Sequence, residues 1–178
     1  MPLPRDYTAQ QCSLARTLEV VGERWTLLIL RDAFYGARRF GEFARTGIPR
    51  AVLTDRLNHM VDAGLLERVG SAPRGHYGLT AKGISLWPTV YTLMAWGDEH
   101  YAPGGPRRIF VHAGDGGSLG PTGACELCGA VVPVGDILVT PGPGLEPPAP
   151  DEHPVNVALR SPHRLLEPLL GEPVAAEG

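Results

Sequence analysis

Three cysteines offer the plainest chemistry in this 178-residue sequence. Cys125-Glu126-Leu127-Cys128-Gly129 has the form of a zinc knuckle, a turn from which two thiolates meet one metal ion. Structural zinc takes four ligands, and no second Cys-x-x-Cys exists to supply the other two. The pair therefore reads either as part of a zinc site or as a metal-free remnant, with a disulfide less suited to the cytosol. Cys12 stands apart, just ahead of a helical pattern. A helix N-terminus favours a thiolate, which makes Cys12 a candidate redox sensor; the alternative is a small buried hydrophobe.

The next chemistry is cationic. Net charge is −3, but the balance is uneven along the chain. Residues 1–100 carry 12 basic and 10 acidic side chains, while residues 101–178 carry 4 and 9. Between residues 35 and 60 five arginines face only Glu42 and Asp55. A local basic face is what phosphate binding requires, whatever the total charge. Gly114-Asp115-Gly116-Gly117-Ser118-Leu119-Gly120 lacks the lysine and the strand-then-helix setting of a phosphate loop and reads as a flexible turn. No nucleophile–base pair, carboxylate pair or complete metal site stands out, so no enzyme is expected.

The elements that must position these groups fall into two regions. Of 18 prolines 13 follow residue 101, as do 13 of 23 glycines, which predicts a helical domain over 1–101 and a Pro/Gly-rich acidic appendage over 102–178. Leu14, Leu18 and Val21 recur at helical spacing behind Ser13, a candidate N-cap. Residues 24–34 are apolar nearly all round, as in a central helix ended by Gly36. A short helix fits 40–45, and Pro49 opens another over 50–63, capped by Gly64. Strands at 65–69 and 76–80 flank a polar tip, which makes helix–turn–helix–hairpin, a winged helix over residues 34–80. A helix over 81–100, weakened by Gly83 and Pro88, carries two apolar stripes, Leu86/Val90/Leu93 and Trp87/Tyr91/Met94. One can dock on its own domain; the other needs the appendage or, more economically, a twofold mate. In the appendage, strands are expected near 108–112 and 137–140, and a short docking helix, broken by Pro162 and Pro168, within 159–170. The fold class is thus mainly α, α+β in kind, with flanking dimerisation helices and a small β-rich appendage.

Several motifs resemble those of the HxlR-type winged helix regulators of bacteria. They are Cys12, then Glu23-Arg24-Trp25-Thr26-Leu27-Leu28-Ile29-Leu30-Arg31, Arg38-Arg39-Phe40-Gly41-Glu42-Phe43, Leu53-Thr54-Asp55-Arg56-Leu57, Ala63-Gly64-Leu65-Leu66-Glu67-Arg68 and Tyr77-Gly78-Leu79-Thr80-Ala81-Lys82-Gly83. The resemblance covers about residues 10–100 and implies a cytoplasmic homodimer, paired through its N-terminal and post-wing helices, on a near-palindromic operator. Relatives answer to electrophiles, oxidants or small metabolites, and some sense oxidants with a cysteine at the position of Cys12. The appendage resembles the short zinc-ribbon-like tails of some relatives, which implies a first ligand pair near Val111-His112-Ala113-Gly114-Asp115. No cysteine stands there; His112, Asp115 or a partner chain would have to serve.

With its apolar stripe on the core, the 50–63 helix turns Arg50, Ala51, Thr54, Asp55 and Asn58 toward the major groove. A guanidinium at Arg50 matches the two acceptors of guanine, Thr54 suits a hydrogen bond or a thymine methyl, Asn58 an adenine or phosphate, and Asp55 either a cytosine amine or an arginine that it orients. Arg38 and Arg39 are expected at the backbone beside free helix N-terminal amides, with Arg74 and His76 reaching from the wing. Two further readings stay open: a winged-helix adaptor that binds proteins rather than specific DNA, and a small-molecule site between dimer helices lined by Trp25, Trp87, Tyr91 and Trp96. No cofactor is expected, zinc being the one the sequence leaves open. No membrane is expected as a partner: no apolar run is long enough to span one, and the N-terminus lacks a signal peptide's apolar stretch, in keeping with the cytoplasm.

Overall fold

The computed structural model describes residue 7, residues 10–70 and residues 75–171. Helix α1 spans Ser13–Val21 and α2 Arg24–Phe34; α3, Phe40–Phe43, runs into a 3-10 turn, and α4 spans Arg50–Asp62. Strands β1, Leu66–Val69, and β2, His76–Leu79, pair antiparallel from Leu66↔Leu79 to Val69↔His76. This is the expected winged helix. Helix α4 starts directly after Pro49 and is followed by Gly64 at φ 69°, a left-handed position that suits glycine. Its stripe of Leu53, Leu57 and Met60 is wholly buried and joins Ile29, Leu30 and Phe34 of α2 in the core. The Tyr77 amide donates to the Arg38 carbonyl (2.8 Å), tying the wing to the α2–α3 turn. Ser13 begins α1 rather than capping it; Cys12 holds the N-cap place without a side-chain cap bond.

After the wing, the single helix expected over 81–100 is two: α5, Ala81–Ile84, and α6, Trp87–Tyr101. The Thr80 side chain accepts from the Gly83 amide and starts α5, and Pro88 sits in the first turn of α6, where its missing N–H costs nothing. Trp87 is buried against Phe34 (5.1 Å between ring centroids) and against Phe110 of the appendage (5.5 Å). Tyr91 is buried too, and its hydroxyl is shared between the carbonyls of Leu119 (2.8 Å) and Gly120 (3.0 Å). Burial pushes that hydroxyl up to about 12, so it stays a proton donor. The appendage, not a second chain, thus covers the Trp87/Tyr91 stripe. What stays open on α6 is Leu93, Trp96 and Tyr101, and on α1 Leu14 and Leu18.

The appendage contains β3, Arg108–His112, β4, Ile137–Pro141, a short helix α7, Pro154–Ala158, and β5, His163–Arg164. The strands form one antiparallel sheet in the order β3-β4-β5. Phe110, Ile137, Val139, Val155, Leu159 and Leu165 join the same apolar cluster as Phe34 and Leu30, so both regions share one core. The docking helix expected within 159–170 is not formed. That stretch instead turns into β5 and packs through its backbone: the Leu166 amide donates to the Phe34 carbonyl (2.9 Å) and the Leu169 amide to the Gly36 carbonyl (3.2 Å). Gly36 has φ 95°, and a Cβ there would lie 1.7 Å from the Glu167 carbonyl oxygen. Among the described residues no helix is long and apolar enough to cross a membrane.

Candidate nucleic-acid interface

The outer face of α4 presents Arg50, Ala51, Thr54 and Asp55 to solvent, with Asn58 half-buried at its far end. The periodicity that buries Leu53 and Leu57 forces these residues outward. The Arg50 guanidinium lies 4.9 Å over the Phe40 ring, which restrains a long side chain at the first turn of the helix. Thr54 donates its hydroxyl to the Arg50 carbonyl (3.0 Å). The Asn58 side-chain oxygen accepts from Arg68 on β1, leaving its amide group for other partners. Arg68 is a basic residue that helix periodicity could not single out: it is exposed on the wing and 6.0 Å from the Tyr77 ring. His76 opens β2 and is half-buried. Arg74 lies outside the described residues. Arg56 forms an ion pair with neither Asp55 nor Glu67 in the structure.

The expected phosphate clamp differs in two respects. The Arg38 guanidinium donates to the Leu166 carbonyl (3.2 Å), so it holds the tail rather than standing free beside a DNA backbone. The Arg38 and Arg39 amides just ahead of α3 are not free for an anion either. Glu42, itself buried, turns its carboxylate back to accept from the Arg38 amide (2.6 Å) and the Arg39 amide (3.2 Å). An internal carboxylate thereby satisfies donors that an isolated helix start would offer to phosphate. Arg39 remains half-buried at this turn.

Arg45 also leaves the basic face. It bonds to Asp32 (2.5 Å) and to the Asn156 side chain (2.6 Å), while Arg31 meets the same Asp32 oxygen at 2.8 Å. Asp32 is wholly buried in α2, a carboxylate where periodicity suggests a helix apolar nearly all round. Burial alone would pull the Arg31 guanidinium down, but the Asp32 charge beside it holds it above its ordinary value. This charge cluster borders a cavity of about 680 Å³ between α2, α6 and the appendage. Arg108 lines it as well. Its guanidinium donates to the Leu159 carbonyl, and burial pulls it below its ordinary value. Among the described residues no carboxylate forms an ion pair with it, whereas Glu146 and Glu152 on the same wall are held by Arg107 (3.4 Å) and Arg160 (2.6 Å).

Trp25, Trp87, Tyr91 and Trp96 do not line one pocket within the protomer. Trp87 and Tyr91 are core, Trp25 is half-buried with Arg24 over its ring (5.2 Å), and Trp96 is exposed beside His100 and Tyr101. Cys12 is exposed in the single chain and forms no disulfide. Cys125 is buried and Cys128 exposed, both as free thiols. Beside them lie His112 and Asp115, and one ligand atom from each of the four falls within 4.8 Å of the others.

The HxlR-like helix-turn-helix family description matches residues 20–104. The chain is 45% identical over 139 residues to the uncharacterized HTH-type transcriptional regulator Rv3095 of Mycobacterium tuberculosis, a match covering 75% of this chain and 88% of that protein. That stretch is too long to fit within residues 1–104, so it takes in part of the appendage. The HTH-type transcriptional regulator YtcD of Bacillus subtilis is 32% identical over 93 residues, covering 49% of this chain and 74% of that one. Among solved structures, PA1607, described as a candidate transcription factor, superposes with a TM-score of 0.51 at 30% identity, covering 80% of this chain and 87% of its own.

Proposed function

The chain belongs to the HxlR-like helix-turn-helix family of transcriptional regulators, and on that premise we propose that it is a homodimer that reads a near-palindromic operator with α4. One observation carries the reading: Leu53, Leu57 and Met60 are wholly buried while Arg50, Ala51, Thr54 and Asp55 on the opposite side of the helix are open. A helix so displayed fits the major groove, with Arg50 at the end where base-edge contacts concentrate. Arg39 and Arg68 then serve the phosphates, and Arg74 and His76 the wing contact. A second copy is the occupant for the apolar residues left open on α1 and α6. Leu14 is 65% exposed, Leu93 50% and Trp96 54%, and a symmetric pair would cover them and set two α4 helices one helical turn of DNA apart.

The signal this regulator answers follows from two features. The cavity beside Asp32 is lined by Arg108, which no carboxylate among the described residues pairs, and also by Asp98 and Asp151, which suits a small polar molecule that offers Arg108 an acceptor and the two carboxylates a donor. It touches both the scaffold of α4 and the appendage, so a ligand there would act on their packing. Cys12, exposed at the start of α1, is the redox alternative, placed where a disulfide or adduct would disturb the dimer face.

The test is footprinting on the DNA upstream of the protein's own coding region, with sedimentation of the same preparation. A protected, roughly palindromic site bound by a dimer, with affinity falling steeply as salt rises, is the expected result. Protection without sequence preference would favour the adaptor reading. If the redox arm holds, an electrophile or oxidant releases this DNA from the wild type and not from Cys12→Ser. Release that is equal in both would remove Cys12 from the mechanism.

A further inference from the structure

The four groups His112, Asp115, Cys125 and Cys128 come from two turns that are built alike. Each turn has the pattern ligand-x-x-ligand-Gly: His112-Ala113-Gly114-Asp115-Gly116 and Cys125-Glu126-Leu127-Cys128-Gly129. In each, the closing glycine lies at positive φ, 76° at Gly116 and 71° at Gly129. In each, that glycine's amide donates to the carbonyl of the first ligand, at 2.8 Å in both turns. The first ligand's own amide then donates to the carbonyl five residues on, His112 to Gly117 (2.8 Å) and Cys125 to Ala130 (2.9 Å). The half-site written in cysteines therefore faces a second turn of the same geometry written in histidine and aspartate.

The side-chain distances fit a single ion. His112 Nδ1 lies 3.2 Å from Asp115 Oδ1 and 3.6 Å from Cys128 Sγ, and Cys125 Sγ lies 3.4 Å from Asp115 Oδ1. Tetrahedral bonds of about 2.0–2.3 Å place neighbouring ligand atoms roughly 3.3–3.8 Å apart. The Gly117 amide donates to Asp115 Oδ1 (2.8 Å), fixing the carboxylate from behind. Gly117 also has to be glycine: a Cβ there would lie 2.5 Å from Cys125 Sγ.

We propose that His112, Asp115, Cys125 and Cys128 bind one zinc ion, which closes the arch between β3 and residue 129 and holds it against α6. Two thiolates with one imidazole and one carboxylate suit a borderline-soft, tetrahedral ion better than calcium or magnesium. The arch that the ion would close carries Leu119 and Gly120, whose carbonyls share the Tyr91 hydroxyl, and Gly123, which abuts the Tyr91 ring. Metal binding is thereby linked to the helix that follows the wing.

Cobalt(II) titrated into the reduced, chelator-stripped full-length chain tests this. The expected result is the strong visible absorption of tetrahedral cobalt with thiolate charge transfer, saturating at one ion per chain and lost on adding zinc. His112→Ala and Asp115→Ala should each weaken binding by about tenfold or more, while His112→Cys should restore a tetrahedral spectrum with stronger charge transfer. Should a variant fail to fold, alkylation of the wild type decides: zinc should slow modification of Cys125 and Cys128 and leave Cys12 unchanged. Absence of a tetrahedral spectrum, unaltered affinity in His112→Ala and Asp115→Ala, or equal alkylation with and without zinc would each overturn the proposal.

Discussion

Asp32→Ala is expected to destabilise the protein by about 3–5 kcal/mol, because it removes the one carboxylate that answers two enclosed guanidinium groups. Asp32 has no exposed surface, and its Oδ1 receives both Arg31 and Arg45. Without it the two cations face each other across a poorly hydrated space, with Arg45 left only the Asn156 side chain. The loss should appear as a fall of roughly 6–20 °C in the thermal midpoint followed by circular dichroism. Asp32→Asn keeps the shape and an acceptor but no charge, and should fall between the two. An unchanged midpoint for Asp32→Ala would mean that the cluster is solvated in a way the geometry does not suggest.

Gly36→Val is the second large effect, and it acts on the tail rather than on the core. At φ 95° a β-branched residue is strained by about 1–3 kcal/mol before any contact is counted. Its Cβ would also meet the Glu167 carbonyl at 1.7 Å, and a backbone oxygen cannot swing aside as a side chain can. The segment must therefore leave, breaking the bonds from Leu166 to Phe34 and from Leu169 to Gly36. Hydrogen exchange should show those two amides protected in the wild type and open in the variant, with the α4 amides still protected. Equal protection of Leu166 and Leu169 in both proteins would refute the docked tail.

Much of the proposed reader is legible in the sequence alone. Apolar spacing places α4 and its outward residues, and Pro49 and Gly64 bound it, because these effects are local to a few turns. The two strands of the wing fall within a residue of expectation for the same reason. What escaped depends on contacts distant in sequence. Nothing near Arg38 or Arg45 announces that their partners are Leu166 and Asn156, more than a hundred residues away. Glu42 is a case in between: its place two residues into a short helix is visible, but its burial and its return to the Arg38 and Arg39 amides are not. The second metal turn is different again. Its two polar residues, His112 and Asp115, are visible in the sequence as stand-ins for a missing cysteine pair, but only the fold shows that they form a turn of the same geometry and converge on Cys125 and Cys128. Of the aromatic set at residues 25, 87, 91 and 96, Trp87 and Tyr91 are packed in the core of the single chain because the appendage supplies Phe110 between them, a contact distant in sequence.

The most direct test of α4 as the reader compares Arg50→Ala with the wild type on the operator and on random DNA at one fixed salt concentration. The expected loss is about 1–3 kcal/mol on the operator, with relaxed preference at one base position and much less change on random DNA. Arg39→Ala, by contrast, should weaken both alike. Equal losses on operator and random DNA for Arg50→Ala would contradict the account, because Arg50 would then be holding phosphate and the sequence would be read elsewhere.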